Sequence, residues 1–111
     1  MENEMNIGEA MIGKKVVVRA NVAGVHCGQV KSISGTTVLL EGAYRFWRVY
    51  TRDKSGSISD VAANGLKPDG QHSIGARLKS VLIENPSGLE IAEMTDDAFA
   101  SVEAYVAGQA K

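Results

Sequence analysis

The chain has 111 residues, 44% hydrophobic and 23% charged, which is the make-up of one folded domain and excludes both a two-domain enzyme and a wholly disordered chain. Twelve Lys and Arg against thirteen Asp and Glu leave a formal net charge of -1, which argues against a general DNA-coating protein. Cys27 is the only cysteine, so an intramolecular disulfide and a cysteine-rich zinc site are excluded.

The first eleven residues, M-E-N-E-M-N-I-G-E-A-M, are acidic where a secretion signal is basic and lack its apolar centre. They read as a tail (1–11) before a single domain (12–111). No run approaches the roughly 18 apolar residues of a spanning helix, so a soluble cytoplasmic protein without membrane contact is expected.

Residues 15–19, K-V-V-V-R, are a β-branched run whose stiff side chains favour a strand. Gly24 and Gly28 follow as turn or bulge positions in a sheet that curls. Residues 25–33 alternate loosely, S-G-T at 34–36 makes a tight connection, and T-V-L-L-E at 37–41 returns, which predicts a hairpin. Residues 44–50, Y-R-F-W-R-V-Y, predict a further strand holding the only Trp, one of two Phe and two of three Tyr. After a polar turn at 51–56, Ser57 with Asp60 resembles a capping box for a short helix that stops at Gly65. Beyond the loop at Pro68, Asp69 and Gly70, residues 76–84 and 89–94 flank N-P-S-G and predict a second hairpin. Thr95, Asp96 and Asp97 open a C-terminal helix in which Ala98, Val102, Tyr105 and Val106 recur at helical spacing and face the sheet. The expected fold is α+β, mainly β: a small curved antiparallel sheet or SH3/Sm-like partial barrel with one short helix and a C-terminal helix.

Catalysis and metal binding find little support. His26 and His72 lie in different segments without ligand spacing, and no nucleophile elbow surrounds Cys27 or a serine. Gly24, Gly28 and Gly35 belong to strand turns rather than to a phosphate-cradling strand-to-helix junction. The reading is a protein that is not an enzyme and uses no metal or cofactor.

Residues 44–50 carry the strongest signal. Alternation puts Arg45 and Trp47 on one face and Tyr44, Phe46, Arg48 and Tyr50 on the other, so each face pairs a ring with a guanidinium. A ring stacks a base and an arginine forks a phosphate. The plainer alternative is that Tyr44 and Phe46 anchor the core while Arg45 and Arg48 snorkel or pair with glutamates.

Charge is unevenly distributed as well. Residues 14–79 hold eleven Lys or Arg against Glu41, Asp53, Asp60 and Asp69, whereas Glu84, Glu90, Glu93, Asp96, Asp97 and Glu103 face only Lys111. A basic pocket for a compact anion fits this pattern, and a long DNA track, repelled by the acidic flank, does not. Two complementary halves docking within the chain or head to tail are the blander account. The predicted ligand-binding residues are Arg45, Trp47 and Arg48, helped by Lys67 and by Arg77 or Lys79, at a pocket between subunits of a homo-oligomer.

The segments I-G-K-K-V-V-V-R from Ile12, A-G-V-H-C-G from Ala23, A-Y-R-F-W-R from Ala43, S-I-S-D-V-A-A-N-G-L-K-P from Ser57 and T-D-D-A-F-A-S-V from Thr95 carry a resemblance. Together they make the chain resemble a family of small uncharacterised bacteriophage proteins with an R-x-W-R strand. The resemblance implies a phage origin and an accessory role in the host cytoplasm. By inference from that class, the chain looks like a candidate counter-defence sponge, a protein that sequesters a cyclic di- or oligonucleotide immune signal without catalysis. A phage inhibitor acting through its acidic helix on a host protein, and an Sm-like RNA-binding module, are the competing expectations.

Overall fold

Val16, Val17 and Val18 are all fully buried, which neighbouring residues of one strand achieve only when both faces of their sheet are covered. They belong to β1 (Lys15–Ala20), followed by β2 (Gly24–Ser34), β3 (Thr37–Arg48), β4 (Ser73–Ile74), β5 (Leu78–Glu84) and β6 (Glu90–Glu93). The α-helices among the described residues are α1 (Ile58–Asn64) and α2 (Asp96–Gln109). This is a computed structural model, and it describes residues 7–21, 23–51 and 57–109. The polar turn expected at 51–56 lies outside the described residues beyond Thr51, as does the tail before Ile7.

The protein is mainly β, with an antiparallel sheet in the order β6-β1-β2-β3; the far edge of β3 is shared by β5 along residues 37–43 and β4 along residues 46–48. One face lies under the helices, where Val17, Cys27, Tyr44 and Phe46 pack with Val61 of α1 and Phe99 of α2. On the opposite face Val16 and Val18 pack with Val30, Val38, Leu40 and Ile83, a cluster to which neither helix contributes. Met11, Ala23, Ile33, Val81, Leu89 and Ile91 pack against that cluster as partly buried neighbours.

Residues 37–41 and 44–50 were expected as separate strands, but they form the single strand β3, with Val49 and Tyr50 beyond its end. Gly42, at φ +56, supplies the bend between the two segments, and the pairing with β2 changes register beside it. β2 and β3 approach closely at this point, since a Cβ on Gly28 would stand 3.1 Å from Ala43.

The second expected hairpin is not formed. N-P-S-G does turn, with the Gly88 N–H donating to the Asn85 carbonyl at 2.8 Å. The flanking strands then part, β5 to β3 and β6 to β1, on opposite sides of the sheet. A turn sequence reverses the chain locally, but strand partners are decided by which buried edges need covering. β1, buried on both faces, takes β6 as its second neighbour.

Both helix starts follow their caps. The Ser57 hydroxyl accepts from the Asp60 N–H at 3.2 Å and the Thr95 hydroxyl from the Ala98 N–H at 3.0 Å, while Gly65, at φ 80, ends α1. Ile7–Met11, read as part of a tail, forms a 3-10 helix whose Met11 packs on the strand-only cluster.

Candidate functional site

β3 sorts the predicted site residues onto two faces. Val18, His26 and Arg45 form one cross-strand row, so Arg45, and with it Trp47 two residues on, lies on the face away from the helices. Tyr44 and Phe46 point the other way and are core residues, 4% and 7% exposed. Trp47 is 63% exposed, and the Arg45 guanidinium carbon lies 5.8 Å from its ring centroid, a cation–π arrangement. The indole rests on Gly75, whose N–H donates to the Arg45 carbonyl at 2.8 Å. Behind Arg45, His26 is buried, and its Nδ1 has no hydrogen-bond partner. Burial, and after it the charge of Arg45, lowers the pKa of His26.

Arg48 falls on the helix side, at the mouth of a cavity of about 270 Å3 lined by Val25, Phe46, Val49, Ile58 and Val61 and reached also by Trp47. Lys67 is elsewhere, paired with Asp69 at 3.4 Å and bordering a cavity of about 520 Å3 with Tyr50 and Gln71.

That corner is held by His72, which sequence patterns gave no reason to single out. The Tyr50 N–H donates to Nδ1 at 3.0 Å and Nε2 meets the Lys67 carbonyl at 3.0 Å, so the ring proton belongs on Nε2. The Tyr105 hydroxyl accepts from the His72 N–H at 2.9 Å and donates to the His72 carbonyl at 2.8 Å. Gly70 is needed beneath the ring, since a Cβ there would stand 2.7 Å from His72 Cε1.

Arg77 and Lys79 are brought together, but on the helix side of β3, in a cavity of about 310 Å3 shared with Lys15, Glu41, Phe99 and Glu103. Arg77 lies near the Tyr44 phenol, close enough for its charge to act on it. Burial and then Glu103 raise the Tyr44 pKa, which Arg77 partly offsets. Burial likewise holds the Cys27 thiol far above the usual thiol range.

The six predicted residues thus occupy separate places: Arg45 with Trp47 and nearby Arg48 at the end of β3, Lys67 on its loop, and Arg77 with Lys79 beside α2. None of the described helices is long and apolar enough to cross a membrane.

No curated protein and no solved structure matches the chain. A family model described as "Domain of unknown function (DUF6948)" matches residues 13–102, which take in the whole sheet, α1 and the first half of α2. The chain belongs to that family.

Proposed function

We propose that this protein is a non-catalytic binding module that stacks a nucleobase on Trp47 and holds the attached phosphate with Arg45 and Arg48. The observation that carries this reading is the exposed indole, 63% accessible, with a guanidinium already 5.8 Å from its ring centroid. A large ring left in water beside a cation is the pairing that nucleotide stacking uses. The ligand we propose is a cyclic di- or oligonucleotide, and the role is that of a phage counter-defence sponge in the host cytoplasm. The cavity beside Trp47 and Arg48, about 270 Å3, is below the roughly 300–1,000 Å3 of ordinary ligand pockets. Enclosing a cyclic dinucleotide therefore calls for a second copy of the chain, and a homo-oligomer is part of the proposal.

We also read the architecture as an SH3/Sm-like partial barrel. The β1-β2-β3 meander, the bend at Gly42 and the short link that takes the chain from β5 to β6 on the other side of the sheet support that reading.

Titration of Trp47 fluorescence with cyclic dinucleotides and trinucleotides, alongside melting temperatures, tests the function. One class is expected to quench the indole and stabilise the fold, and Trp47→Ala is expected to weaken binding by roughly 5- to 150-fold, the equivalent of about 1–3 kcal/mol. Folded protein that responds to none of them, or a Trp47→Ala variant of unchanged affinity, would sink the assignment. If neutralising Asp96, Asp97 and Glu103 abolishes activity while Trp47→Ala does not, the partner is a protein docking on α2.

A further inference from the structure

The cavity between β3, β5 and α2 has a charge arrangement that packing alone does not account for. Three cations border it, Lys15, Arg77 and Lys79, with two carboxylates, Glu41 and Glu103. Glu41 is already matched by Lys31 at 3.2 Å. Setting that pair aside leaves three positive charges against Glu103. Elsewhere on this surface opposite charges close on one another, as in Lys14 with Glu93 at 3.3 Å and Lys67 with Asp69 at 3.4 Å. Among the described residues no such pair joins Lys15, Arg77 or Lys79 to Glu103.

Two of the cations lie against the framework of the cavity. The Lys15 ammonium lies 5.0 Å from the centroid of the Phe99 ring. The Arg77 guanidinium, near the buried Tyr44 phenol, occupies the space over Gly42 that a side chain would fill: a Cβ there would stand 2.7 Å from Nη2. Gly42 is thus both the bend of β3 and the gap that admits Arg77. Donors already gathered around a cavity of about 310 Å3 have less rotamer freedom to lose when an anion arrives than donors that must be brought together.

We propose that this cavity is a second ligand site, separate from Trp47, which takes the dianionic phosphoryl group of a small phosphorylated compound on Arg77, Lys15 and Lys79. A net of two positive charges matches a phosphoryl dianion, and the guanidinium can fork two of its oxygens. Glu103, one helical turn beyond Phe99, is then placed to accept hydrogen bonds from the hydroxyl or amino groups of the same ligand. The site lies across β3 from Arg45 and Trp47, so one small ligand does not reach both.

Inorganic phosphate is the probe, titrated as the dianion into isotope-labelled protein at constant ionic strength with chloride as the balancing salt. Saturable shifts are expected at the amides of Gly42, Arg77 and Phe99, with the Trp47 indole signal unmoved. Arg77→Gln is expected to weaken the response roughly tenfold or more. Because that change also alters the packing over Gly42, Lys79→Gln, at an exposed position, is the second variant, with an expected loss of about two- to fivefold. Shifts that rise without saturating and are reproduced by chloride would overturn the site, as would shifts centred on Trp47 with Gly42 still. The indole and Gly42 report separately, so either reading can fail while the other stands.

Discussion

The Trp47 indole lies on Gly75 with Cζ3 and Cη2 each 3.1 Å from the point that a Cβ at residue 75 would occupy. The glycine is there for the ring rather than for the backbone, since residue 75 is not among the positive-φ glycines. Gly75→Ala is expected to lift the indole by a few tenths of an ångström and to disturb its contact with Arg45. The ring is mostly exposed and can yield, so stability should change by less than about 1 kcal/mol while the emission of the only tryptophan shifts. An unchanged emission spectrum would mean that the ring does not rest on this residue.

His26 imposes a pH dependence whose direction follows from its burial. Its native pKa lies below the ordinary 6.5. Between those two values the unfolded chain binds more protons than the folded one. Stability is therefore full above about pH 6.5, falls as the pH is lowered toward the native pKa and levels off below it. Urea midpoints from about pH 7.5 to about pH 5 should decline in the parent protein and decline less in His26→Leu, which also removes the unpartnered Nδ1. Parallel curves would show that another group sets the slope.

His72→Phe separates hydrogen bonding from ring packing at the corner between β3 and α2. The new ring retains the edge-on contact with Tyr105, 4.9 Å between centroids, but leaves the Tyr50 N–H and the Lys67 carbonyl without their partner. The expected cost is about 1–3 kcal/mol in urea unfolding. A loss below about 0.5 kcal/mol would show that water replaces the imidazole readily.

What the sequence revealed was mostly local. Ser57 and Thr95 cap their helices because the acceptor and its N–H donor are three residues apart. The alternation at Arg45 and Trp47 was legible for the same reason, and the plainer alternative held for Tyr44 and Phe46, which are core. The partners of β5 and β6 were not legible, because N-P-S-G specifies a reversal and not which edge comes to lie alongside. Nor was the placing of Arg77 on the far side of β3 from Arg45. That depends on the bend at Gly42 and on the register Ala43↔Leu78, both products of the assembled sheet. His72 was invisible because the hydrogen-bond partners of its ring are backbone groups, of Tyr50 and Lys67, which leave no side-chain pattern.

The pairing of β1 with β6 bears on the order in which the chain acquires its structure. Val16 lies opposite Glu93, so the outer edge of the first strand stays open while the intervening chain is being synthesised. β1, β2 and β3 can form early from neighbouring segments, but Val17 gains its cover only when α1 and α2 arrive. Closing so long a loop is slow, and until then the valine run is a bare, β-prone edge on a nascent chain. The interval between emergence of Val18 from the ribosome and emergence of Met94 is the period in which this protein is most exposed to misassembly.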